Sequence, residues 1–209
     1  MTREEKVVQI LNRLYKVYPA PKTALHYQTP FELLIATILS AQATDKLVNQ
    51  VTPGLFKAYP GPDAFAHASI DEIDTAIRRI NFHHNKAKSI KGASEKIVKE
   101  YGGNVPQTME ELITLPGVAR KTANVVLGSA FDRAEGVVVD THVMRLVQKL
   151  GLTHETKPEK IEQDLMKIVP KEKWIDFSLL LINFGREYCP ARAHVCQDCP
   201  LGNLCPDKG

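Results

Sequence analysis

Leu115-Pro116-Gly117-Val118-Ala119-Arg120-Lys121-Thr122-Ala123 decides more about this chain than any other stretch. An apolar-Pro-Gly turn runs straight into a helix whose first turn carries an arginine and then a lysine. The unpaired N–H groups and the dipole at a helix start concentrate partial positive charge. With two basic side chains beside them, they form a phosphate-binding device. Gly117 adopts positive φ readily and lets a backbone or a phosphate come close. Pro-Gly alone reads more simply as a corner between two helices, and Arg120-Lys121 brings the two readings level.

Lys121 is either a solvated cation on a phosphate or a nucleophile. The helix start and Arg120 disfavour its ammonium form, and partial burial would add to that, giving the free amine that a Schiff base requires. Asp140 gives the amine a partner. It opens the helical stretch Asp140-Thr141-His142-Val143-Met144-Arg145-Leu146, where an aspartate suits the N-cap. A carboxylate held there, favoured as an anion by the helix dipole, can also steady a developing oxocarbenium ion or take a proton from the amine. Cap and catalyst are compatible roles.

The remaining chemistry lies in the cysteines. All four fall in the last segment, Cys189, Cys196, Cys199 and Cys205, with the spacing C-x6-C-x2-C-x5-C. Structural zinc favours paired knuckles, and only one close pair exists here. The irregular wrap favours a [4Fe–4S] cluster. Arg192 and His194, between the first two cysteines, either reach a phosphate or are simply solvated.

Composition narrows the class. The chain has 209 residues, 44% hydrophobic and 24% charged, ordinary for one globular domain or two small ones. Its 27 basic and 24 acidic residues give a net charge of +3, too mild for indiscriminate polyanion binding but compatible with a local basic surface. Met1-Thr2-Arg3-Glu4-Glu5-Lys6 lacks the apolar core of a signal peptide, and no apolar run is long enough to span a bilayer. The expectation is a cytoplasmic, nucleoid-associated protein with no membrane partner.

The apolar spacing is helical nearly throughout. Helices are expected from Val7 to Tyr18, from Thr29-Pro30 to Leu39, and over 46–58, where Pro53-Gly54 threatens a kink. Others are expected over 63–67, 70–80, 85–101, 108–113, 120–131, 141–150, 158–169 and 171–184. Val137-Val138-Val139 reads as a buried connector, too short for a sheet. The fold class is all-α, about ten helices, with weak seams near 19–21 and 132–137.

Together, the hairpin stretch continued through Asn124-Val125-Val126, then Val139-Asp140-Thr141-His142-Val143, the four cysteines, and Ser40-Ala41-Gln42-Ala43-Thr44-Asp45 closely resemble the endonuclease III family of DNA glycosylases. The resemblance runs over nearly the whole chain. It implies two helical domains with a DNA-binding cleft: a six-helix domain over 22–133 holding the helix-hairpin-helix, and a second domain of 1–21 plus 134–209 with a C-terminal [4Fe–4S] loop ligated by the four cysteines. The implied enzyme is a bifunctional DNA glycosylase and AP lyase that removes oxidised pyrimidines from double-stranded DNA, acting as a monomer. Lys121 attacks C1′, Asp140 supplies the carboxylate, and β-elimination cuts 3′ to the abasic site. Gly117, Ala119 and Arg120 would bind the DNA backbone. Gln42 would fill the gap left by the extruded nucleotide, and Phe82 would wedge into the opposite strand. By residue chemistry alone, the alternative for Phe82 is a core aromatic and for Gln42 a polar helix end.

Two residues depart from the family pattern. Ala119 and Asn81 stand where the family usually or often has glycine, which puts the geometry of both loops in question. Ala119 is tolerable if its φ is negative, and asparagine accepts the left-handed region. Monofunctional relatives generally lack a lysine at the position of Lys121, and relatives acting on 8-oxoguanine lack the cysteine loop. A non-catalytic iron–sulfur DNA-binding protein is the reading from a different class.

Overall fold

A computed structural model of the chain describes residues 1–192 and 196–206. Among these residues there are eleven α-helices, one short 3-10 turn and no strand. They are α1 (Arg3–Val17), α2 (Pro30–Ser40), α3 (Asp45–Ala58), α4 (Pro62–His67), α5 (Ile70–Ala76), α6 (His83–Tyr101), α7 (Met109–Leu112), α8 (Arg120–Phe131), α9 (Thr141–Lys149), α10 (Pro158–Ile168) and α11 (Trp174–Glu187). The chain divides into two compact units, Thr23–Arg133 and Met1–Lys22 with Ala134–Gly209. No described helix is long and apolar enough to cross a membrane.

In the Thr23–Arg133 unit, α2 is the hub. Thr29 caps it, Pro30 starts it, and every residue from Leu33 to Leu39 is buried. A helix apolar on all sides has to be enclosed. Ala87, Ile90, Ala93 and Ile97 of α6 and Ala123, Val126 and Leu127 of α8 join the same core. Counting the four-residue α7, the unit holds seven helices rather than six. α3 runs unbroken through Pro53. An interior proline costs about 3 kcal/mol. Burial of Val48, Val51 and Leu55, roughly 1.5–3 kcal/mol for each side chain, more than offsets it.

The other unit packs α1, α9, α10 and α11 around Ile10, Leu14, Leu146, Leu165 and Phe177. A capping box between Thr2 and Glu5 opens α1. Lys6 Nζ then donates to Leu150 O at 2.6 Å, and Arg13 Nη1 to Pro200 O at 3.2 Å, which ties the first helix to the cysteine segment. Val137 to Val139 are buried without a sheet, and Val138 N donates to Ser178 Oγ at 2.9 Å.

Some boundaries move. α5 stops at Ala76, not Ile80, because Ile77 and Ile80 stay buried while the backbone leaves the helix. The last helical stretch starts as a 3-10 turn at Lys171–Lys173 before α11.

Candidate active site and nucleic-acid interface

Gly117 sits at φ +77°, and a Cβ there would fall 2.6 Å from Ser89 Cβ. Conformation and space both demand glycine. Ser89 lies on α6, and so does Gly92, where a Cβ would meet Pro116 Cγ at 3.1 Å. The hairpin therefore rests on small residues of α6. Ala119 is the N-cap of α8 with φ −89°, so its Cβ brings no backbone strain. No side chain caps this twelve-residue helix. Its first-turn N–H groups suit an outside acceptor such as a phosphate oxygen.

Arg120 and Lys121 are both exposed in that first turn. The partial burial considered for Lys121 is thus not found. Asp140, in the other unit, is half-buried at the N-cap of α9. Its Oδ1 accepts from Val143 N at 2.8 Å, and Oδ2 takes no part in the cap. Behind it, the buried Val137–Val139 connector and its bond to Ser178 fix the chain that delivers the carboxylate.

Gln42 and Phe82 share a backbone peculiarity. Both are left-handed, at φ 54° and 59°, and with Asp132 they are the positive-φ residues other than glycine among those described. Such a conformation costs a bulky residue roughly 1–2 kcal/mol and persists only where neighbours impose it. Phe82 is 61% exposed, so it is not a core aromatic. The left-handed conformation, which asparagine would have accepted, falls on Phe82 and not on Asn81 beside it.

Two further side chains hold the Gln42 loop: Asn81, noted in the sequence only as a departure from glycine, and Lys86, which was not singled out there. Asn81 Nδ2 donates to Gln42 O at 3.0 Å. Lys86, 7% exposed, donates through Nζ to Leu39 O at 2.8 Å and Ala41 O at 2.6 Å. Burial lowers its pKa from the usual lysine value. One signal was present: Lys86 keeps the spacing of Ile90, Ala93 and Ile97, a cation on an apolar face.

The four cysteines line one cavity of about 550 Å³, together with Leu146, Lys149 and Phe184. Burial pushes the Cys199 thiol up, and the nearby Cys189, Cys196 and Cys205 push the same way. Arg145 holds Cys189, with Nη1 3.5 Å from its Sγ and Nη2 2.5 Å from its carbonyl oxygen. Among the described residues, no three His, Cys, Asp or Glu side chains gather closely enough to hold a single metal ion. Four thiols lining one cavity are a donor set suited to a thiolate-bound metal group. Arg192 is exposed, and His194 lies outside the described residues.

Residues 35–171 match the family of HhH-GPD superfamily base excision DNA repair proteins. Endonuclease III of Synechocystis sp. is 54% identical over 205 residues, 98% of this chain and 94% of that protein. Endonuclease III of Escherichia coli is 38% identical, with 97% of this chain and 96% of that protein covered. The chain belongs to the endonuclease III family. A solved non-covalent endonuclease III–DNA complex matches with 40% identity and a TM-score of 0.93, covering 100% of this chain and 97% of that one. A thermostable thymine-DNA glycosylase matches with 25% identity and a TM-score of 0.84, over 99% and 96%. The activity class is that of the endonuclease III family, DNA glycosylase with AP lyase activity in base excision repair. A non-catalytic DNA-binding role is thereby set aside.

Proposed function

We propose that the chain removes oxidised pyrimidines from double-stranded DNA and then cuts the strand, with Lys121 as nucleophile and Asp140 as its carboxylate. Nζ of Lys121, as the free amine, attacks C1′ of an extruded nucleotide. The glycosidic bond breaks, its electron pair leaves with the base, and the amine sheds a proton. Opening of the sugar gives a Schiff base. Loss of a C2′ proton then expels the 3′ phosphate, which cuts 3′ to the lesion by β-elimination. Asp140 takes the amine's proton or steadies positive charge at C1′.

One observation carries this reading: an exposed lysine in the first turn of α8, directly after a hairpin that only glycine can form at position 117. Gly117, Ala119 and Arg120 hold the DNA backbone by charge and N–H groups, which sets register without reading sequence. Gln42 fills the gap left by the extruded nucleotide, and Phe82 enters the opposite strand. Cys189, Cys196, Cys199 and Cys205 are the proposed ligands of a [4Fe–4S] cluster, which when bound supplies four iron–thiolate bonds that fix the terminal segment. The donor set supports this, being four thiols on one cavity.

A lesion panel tests the substrate class. Duplexes carrying single oxidised pyrimidines are expected to lose the base and be cut, while 8-oxoguanine and normal mismatches are not. Lys121→Gln is expected to keep DNA binding and lose cutting. Excision of 8-oxoguanine in preference to every oxidised pyrimidine would refute the assignment.

A further inference from the structure

Gln42 is held from both sides by α6 and the residue pair before it. The peptide plane ahead of its Cα ends in the Ala41 carbonyl, which accepts from Lys86 Nζ at 2.6 Å. The plane after it ends in the Gln42 carbonyl, which accepts from Asn81 Nδ2 at 3.0 Å. Two anchored planes fix φ and ψ of the residue between them, and that residue is left-handed without being glycine. Lys86 also takes the Leu39 carbonyl at 2.8 Å, at the C-terminal end of α2, where carbonyls lack helical partners and a cation is favoured. Both of its acceptors are backbone carbonyls. A buried ammonium spent on two carbonyls is a costly way to close a helix if closing it is all that is gained.

We infer that Asn81 and Lys86 are positioning residues that clamp the Gln42 loop to the start of α6, so that Gln42 and its neighbour across the clamp, Phe82, meet the duplex as one rigid piece. The inference rests on the gap-filling role proposed for Gln42. Asn81 is decisive, because its side-chain amide supplies a donor that glycine at this position would lack. Phe82 follows Asn81 in the chain, so one side chain links the backbone of the plug to that of the wedge.

The test uses the full-length protein and single-turnover excision of an oxidised pyrimidine paired in a duplex, alongside strand cutting at a preformed abasic site. Extrusion is hardest for a paired base and easiest where the base is already gone. Gln42→Ala, Asn81→Ala and Lys86→Met are each expected to slow excision by about 10-fold, and to slow cutting at the abasic site by less than about 3-fold. Asn81→Ala added to Gln42→Ala is expected to cause no further loss, the non-additivity of residues acting through one element. Asn81 is exposed, so its variant decides the matter even if Lys86→Met fails to fold. Normal excision by Gln42→Ala would overturn the gap-filling role, and the clamp with it. Loss in Gln42→Ala with unchanged excision in Asn81→Ala, or multiplicative losses in the double variant, would overturn the clamp alone.

Discussion

Gly117 shows how one residue ties backbone geometry to binding. Its φ of +77° strains any L side chain, and the Cβ would collide with Ser89 at 2.6 Å. Gly117→Ala is expected to destabilise the protein by roughly 1–3 kcal/mol and weaken DNA binding. Ser89→Gly in the same chain should recover part of the stability, since it removes the colliding atoms; thermal melting of both variants checks this. Asp140 separates two roles that share one carboxylate. Asn is as good an N-cap as Asp, so Asp140→Asn should melt within about 0.5 kcal/mol of the wild type. Base excision by that variant should nonetheless fall by at least about 100-fold while DNA affinity persists. A large drop in melting temperature, or lost DNA affinity, would make Asp140 chiefly structural.

At the level of elements, α6 organises one side of the proposed interface. Phe82 precedes it, Lys86 reaches the α2 end, and Ser89, Gly92 and Lys96 support the hairpin, the last through a 3.3 Å bond to Thr114 O. The contacts of α6 with the α2 end and the hairpin were not legible in the sequence, because helical periodicity says which face is buried and not which distant loop lies on it. The helices themselves were legible. Arg120 to Phe131 matches the expected span, and Asp140 caps α9 as its residue type suggests. Boundaries failed where buried isoleucines continued past a helix end, as at Ile77 and Ile80. The cysteine segment carries its own prediction. The purified protein should be brown with broad visible absorption, and Cys199→Ser should lose most of that absorption and melt earlier. A colourless protein holding stoichiometric zinc would refute the cluster.

For the whole molecule, alkaline stability follows from α1. Burial, then hydrogen bonding to Asp176, raises the Tyr15 pKa above the usual value of 10.0, and burial with Glu187 does the same for Tyr18. The unfolded chain gives up these protons first. Their contribution is therefore complete below pH 10 and is lost as pH rises beyond it. Tyr15→Phe should flatten the fall in melting temperature above pH 10, and an unchanged slope would contradict this. The activity class was legible because three separated motifs agreed on one family. The exposure of Lys121 was not, because a lysine in a first turn carries no sequence mark of how deeply it sits. That residue also holds the central claim. Borohydride reduction during reaction with a duplex containing an abasic site, followed by peptide mapping, should recover one covalent DNA adduct, on Lys121, and none from Lys121→Ala. An adduct on another residue, or an equal yield from Lys121→Ala, would contradict it.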